Sequence, residues 1–178
     1  MTLDNEANHI KWLLNDLVVD LAAAVGMGRE VFKLHDGSPE STTKAMGRLR
    51  VCNHSIMLSL FKLHEIRTKY TRFLSRLPKE ETEGIYRDAA QIEQRSICKF
   101  RNKYAAHIID KETLKPISLA KGMELLGSIT GHDNSQTLEF YDWVCPEQWT
   151  IDKPCVMTTV HNLRVYCKGL PGGNLERP

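Results

Sequence analysis

The feature that most constrains this chain is an apolar pattern of alternating three- and four-residue steps, sustained from Met46 to Leu77. Met46, Leu49, Asn53, Ile56, Leu60, Leu63, Arg67, Tyr70, Leu74 and Leu77 all fall on it. At 3.6 residues per turn these positions share one helix face, and the alternation is that of a seam shared with other helices. A half-buried strand would instead alternate with period two, and few stretches here do so. Asn53 and Arg67 are polar interruptions of the seam. Ser41 or Thr42 supplies a cap for this long helix, and Pro78 closes it.

The same reading extends to the rest of the chain. Ile10, Leu14, Leu17, Leu21 and Val25 define a first helix over about 3–26, capped by Asp4 or Asn5. Gly26 and Gly28 end or weaken it, a short continuation runs through Val31, Phe32 and Leu34, and HDGSP at His35 to Pro39 is a break. A third helix starts near Glu80 and runs to about Ile108, with Ile85, Ala89, Ile92, Ser96, Ile97, Phe100 and Tyr104 on its stripe. Asp110 to Pro116 is a polar connection. A fourth helix covers about Ser118 to Ile129. Leu138 to Trp149 reads as a short helix plus an irregular aromatic segment held onto the bundle, and a last helix spans about Pro154 to Cys167. The expectation is an all-α, antiparallel bundle of five to six helices. It occupies residues 1–168 as a single domain, with 169–178 a mobile tail.

Composition fits that expectation. A chain of 178 residues with 42% hydrophobic and 26% charged residues is long enough for one full core and is not of disordered type. The opening MTLDNEANHIKW carries acids where an export signal needs basic residues followed by an apolar run. Leu17 to Val25 is too short, and interrupted by Asp20, to cross a bilayer. Five scattered cysteines without a CxxC pair read as free thiols. Together these features predict a cytoplasmic protein without a membrane association.

Charge is unevenly placed. Between Lys44 and Lys79 nine basic residues face the single acid Glu65, although the formal net charge of the chain is only +2. Arg95, Lys99, Arg101 and Lys103 follow with no acid among them. Such asymmetry suits a polyanion, and Lys62, Arg67, Lys69, Arg72, Arg76, Lys99 and Lys103 are the candidate RNA contacts. It also suits a solvated helix face whose charges pair with neighbouring helices.

The segment richest in chemistry is CKFRNKYAAHIIDKETLKP, residues 98–116. Cleaving RNA through its own 2′-hydroxyl needs a proton acceptor, a cation for the charged phosphorane and a proton for the leaving oxygen. His107 suits proton transfer. Arg101 stays charged and its planar fork matches phosphate oxygens, while Asn102 can orient the phosphate or the histidine. No metal or other cofactor is needed for this chemistry. On a straight helix Arg101 and His107 lie roughly 120° apart around the axis and about 9 Å apart along it. A single phosphate would then be gripped by groups from two copies of the helix, or by one distorted helix. Tyr104 belongs to the core or a dimer seam, or stacks on a base.

The stretch RNKYAAHIID resembles the signature of the HEPN superfamily, and Ala-His-Ile-Ile-Asp is similar to its abortive-infection branch. The resemblance implies a HEPN-like bundle and a metal-independent ribonuclease that dimerises across the motif helix, within a toxin–antitoxin or antiphage system. It places Arg101 on the scissile phosphate, Asn102 in support and His107 at the protons. RNA, a second copy of the chain and a cognate antitoxin or regulatory protein are the implied partners. Two alternatives stay open: a non-catalytic HEPN-like module that binds RNA or a protein, and a helical structural protein in which Arg101 and His107 serve packing.

Other signals are weaker. His132-Asp133 and His35-Asp36 lie in loops, whereas phosphohydrolase ligands of that type sit on helices. His64-Glu65 lacks the second histidine of a zinc protease motif. The Cys and His spacings match no structural zinc site, and no phosphate-binding glycine loop is present.

Overall fold

The computed structural model describes residues 3–105, 115–116 and 118–177. It is all-α, and the described residues contain six helices of eleven residues or more and two single turns. The long helices are α1 (Leu3–Leu34), α2 (Pro39–Lys69), α4 (Lys79–Gln94), α6 (Leu119–Thr130), α7 (Asn134–Val144) and α8 (Val156–Gly169). The single turns are α3 (Thr71–Leu74) and α5 (Ile97–Phe100), the latter running into a π-turn at Arg101–Ala105.

Four of these helices form a closed ring in which α1 packs on α2 and α8, and α4 packs on the same two. Every neighbouring pair is antiparallel. Lys62 meets Asp20, Arg164 meets Asn15, His64 meets Glu93, and Arg87 meets Thr159, so positions advance on one helix as they recede on the next. From Asn53 to Leu63 the seam read from the sequence faces the ring's interior, whereas Met46 at its start is 53% exposed and Leu49 is half-buried. Ile10, Leu14, Leu17 and Leu21 meet Ile56, Leu60, Leu63, Ile85, Ile92, Val160 and Leu163 there, all at most 1% exposed. Burial of such side chains is the main force holding the ring, at about 1.5–3 kcal/mol each.

Several boundaries differ from the sequence reading. Helix α1 contains Asp4 and Asn5 and passes through Gly26 and Gly28 without a break to Leu34. The reason at Gly28 is tertiary: a Cβ there would lie 2.5 Å from the Tyr141 hydroxyl, so the helix needs a residue without a side chain where that ring crosses. At α2 the cap is Ser38, not Ser41 or Thr42. Its side chain accepts from the Ser41 amide at 3.2 Å, and Pro39 takes the first helical position, where its missing N–H costs nothing. Helix α2 stops at Lys69 rather than Leu77, and Pro78 instead starts α4.

The expected third helix is divided. Helix α4 ends at Gln94, and Ser96 adopts a left-handed conformation with φ 61° and ψ 22°. The chain therefore turns before α5 and the π-turn, which pack against α2. Ser118 caps α6, accepting from the Lys121 amide at 3.1 Å. Asp133 caps α7 in the same way at 2.9 Å from the Gln136 amide, so α7 begins earlier than Leu138.

Both seam interruptions have partners. Asn53 Oδ1 accepts from the Tyr141 hydroxyl at 2.8 Å in the interior, and Arg67 lies over the Tyr86 ring at 5.4 Å. The aromatic segment anchors as expected, with Phe140 and Tyr141 buried and Trp149 donating to Thr158 Oγ1 at 2.9 Å. Beyond α8, in the segment whose composition suggests mobility, the Leu175 and Glu176 carbonyls accept from Lys11 and Asn8 at 2.9 and 3.0 Å. All five cysteines are free thiols. No helix among the described residues is long and apolar enough to cross a membrane.

Candidate functional site

The motif sits where the chain leaves the ring. After the left-handed Ser96, α5 lays Ile97 and Phe100 into the core. The π-turn then carries Arg101, Asn102, Lys103 and Tyr104 along α2. Its i to i+5 bonding widens the turn, and such turns recur at functional sites. Straight α-helix geometry therefore does not describe Arg101–Ala105. His107 itself lies outside the described residues.

Arg101 is half-buried. Its guanidinium lies 4.5 Å from the centre of the Phe61 ring on α2, and its Nη1 donates to Asn102 Oδ1 at 3.0 Å. No carboxylate among the described residues pairs with it. An arginine held by an aromatic face and a neutral amide keeps its full charge available to an anion. Arg101 and Asn102, adjacent in sequence, are thus also joined in space.

Tyr104 has a packing role. Its ring lies 5.6 Å from that of His54 and 5.3 Å from Phe100, and its hydroxyl accepts from Arg50 Nη2 at 3.0 Å. It also presses on α6 at Gly122, where a Cβ would come within 2.0 Å of the ring. Burial among these groups, with Arg50 nearby, holds the His54 imidazole below the usual histidine range.

The candidate RNA-binding cations do not share one face. Lys62 reaches toward α1, bonding Asp20 at 3.1 Å, and Lys69 pairs with Glu65 at 2.8 Å. Arg67 points to the other side of α2, onto Tyr86 of α4. Arg72, Arg76 and Lys99 are exposed and make no ion pair with a described residue, and Lys103 is exposed. Surface pairs such as Lys62–Asp20 contribute only about 0–1 kcal/mol, so they exchange readily for phosphate.

One pair beside the motif escaped the sequence reading. His64 Nε2 meets Glu93 Oε1 at 2.6 Å, joining α2 to the end of α4. The His64 ring also stacks on Phe61, with centres 6.3 Å apart and planes inclined by 26°. The bond from His64, its charge and the nearby Arg67 hold the Glu93 carboxyl below the usual carboxylate range. Burial, with Glu93 close by, pushes the Cys98 thiol up. The Phe61–His64 spacing of three was a visible signal; the distant Glu93 was not.

A groove of about 670 Å³ between α4 and α8 is lined by Glu80, Glu81, Glu83 and Asp152 against Arg87, and by none of the expected site residues. His132 and Asp133 serve the α7 start, and Asp36 accepts from the Ser38 amide at 2.9 Å. No group of three or more His, Cys, Asp or Glu among the described residues is arranged to hold a metal ion.

No family model matches the chain, and no curated protein matches it. A solved structure does: an integron cassette protein from the mobile metagenome of V. paracholerae, with TM-score 0.77. The match covers 95% of this chain and 99% of that one at 21% identity, so it is a likeness of fold.

Proposed function

We propose that the protein is a metal-independent endoribonuclease of the HEPN type, acting as a cytoplasmic homodimer in a toxin or antiphage defence system. The observation that carries this reading is Arg101: a guanidinium with no carboxylate partner among the described residues, braced by Phe61 and Asn102 on a π-turn. In this reading Arg101 stabilises the charge of the scissile phosphorane, Asn102 fixes the guanidinium, and His107 handles protons or charge. Exposed Arg72, Arg76, Lys99 and Lys103 guide the RNA backbone, with Lys62 and Lys69 adding charge once released from their surface pairs. A second copy completes the site across the motif segment, and a cognate antitoxin or regulatory protein restrains it.

The test is cleavage of labelled RNA by Arg101→Ala and His107→Ala variants, with folding and oligomeric state followed alongside. The expected outcome is a loss of about 100-fold or more in each, with helicity and dimer retained. Salt-dependent RNA binding without cleavage would instead identify a non-catalytic RNA-binding module. Equal loss of folding in both variants would identify packing residues.

A further inference from the structure

We propose that His64, oriented by Glu93, acts with Arg101 of the same protomer on one phosphodiester, its imidazole accepting the 2′-hydroxyl proton. The inference rests on the ribonuclease reading above and adds to it a residue from a different helix. Both groups lie against Phe61: the Arg101 guanidinium is 4.5 Å from its ring centre, and the His64 ring centre is 6.3 Å from it. The guanidinium and imidazole are therefore no further apart than those two distances together. That spacing suits a phosphate on the cation and a ribose hydroxyl on the ring.

Glu93 sets the tautomer. A carboxylate only accepts, so in the neutral imidazole the Nε2 facing Glu93 Oε1 at 2.6 Å carries the proton and Nδ1 carries the lone pair. This is the arrangement of a base held by an acid partner, with Glu93 as the positioning residue. Three charged groups face the imidazole: Glu93 on α4, Arg67 on α2, and Arg101 against Phe61 on the π-turn; the Cys98 thiol on α5, pushed up by burial, stays neutral.

The step balances without a co-reactant other than water. Nδ1 takes the 2′-hydroxyl proton as O2′ bonds to phosphorus and the bond to O5′ breaks, leaving a 2′,3′-cyclic phosphate. The 5′-oxygen takes a proton from water, and the imidazolium returns its own to the hydroxide so formed.

Two measurements test this on the intact protein. One is single-turnover cleavage of a labelled single-stranded RNA. The other follows the His64 imidazole signals by NMR with the same oligonucleotide built from 2′-deoxy sugars, which binds without being cut. His64→Gln is expected to slow cleavage by about 100-fold or more, and Glu93→Gln by about 10-fold or more. Glu93→Gln also draws the imidazole nitrogen signals away from those of the Nε2–H tautomer, as expected if the carboxylate sets it. The oligonucleotide shifts the His64 signal in the parent protein, and Arg101→Ala abolishes that shift. Glu93 is exposed, so its variant stays readable if His64→Gln fails to fold. Cleavage by His64→Gln at the parent's rate, or a His64 signal unmoved by the oligonucleotide, overturns the proposal. If the parent itself does not cleave, the ribonuclease reading fails. The NMR shift and its loss in Arg101→Ala then decide whether the two residues share a phosphate site.

Discussion

At the residue scale, the positions that look anomalous in the sequence are those fixed by a partner far along the chain. Asn53 lies on the apolar seam because the Tyr141 hydroxyl donates to it in a dry interior. Burial pushes that hydroxyl far above the usual tyrosine range, so it stays a donor at any ordinary pH. Tyr141→Phe would strand the Asn53 oxygen, and a loss of about 1–3 kcal/mol in urea unfolding is expected. The two α1 glycines should respond with opposite signs. Gly26 has nothing within 4 Å of a built Cβ, so Gly26→Ala is expected to stabilise the helix by up to about 1 kcal/mol. Gly28→Ala would drive a Cβ into Tyr141 and cost about 1–3 kcal/mol despite the same gain in propensity. Both changes are measurable as shifts of the unfolding midpoint.

At the scale of elements, periodicity made the ring helices legible, because the interior demands apolar residues along α1, α4 and α8 and along α2 from Cys52 onward. It could not locate the bend between α4 and α5. Ile92, Ile97 and Phe100 keep the apolar stripe going across it, and the turn is made by Ser96, which carries no glycine-like signal. The step from α2 to α3 was hidden in the same way, since Phe73 and Leu74 are buried on either reading. Of the site, Arg101 and Asn102 could be read from one short segment, whereas His64–Glu93 required the pairing of two helices. Ser96→Gly relieves a left-handed conformation that costs a residue with a side chain about 1–2 kcal/mol. Glycine's larger unfolded-state entropy offsets part of this, and a net gain of up to about 1 kcal/mol is expected in thermal unfolding. A loss of stability would mean that Ser96 contributes a contact beyond its backbone.

At the scale of the molecule, the ring is a scaffold and the proposed site lies where the chain departs from it. The bend at Ser96 brings the motif back over α2, so the π-turn, Phe61 and the His64–Glu93 pair share one region of the surface. Four acidic residues line the groove between α4 and α8, whereas the segment from Lys44 to Lys79 carries nine cations against one acid. Such a local excess of cations lets a weakly charged chain attract a polyanion, even though these side chains do not share one face. The most direct measurement is incubation of the purified protein with labelled single-stranded RNA and total tRNA in EDTA, with analysis of the fragment ends. Fragments ending in 2′,3′-cyclic phosphate, absent with Arg101→Ala of unchanged fold, are the expected result. Intact RNA across both substrates, or cleavage that survives Arg101→Ala, would contradict a metal-independent ribonuclease centred on this arginine.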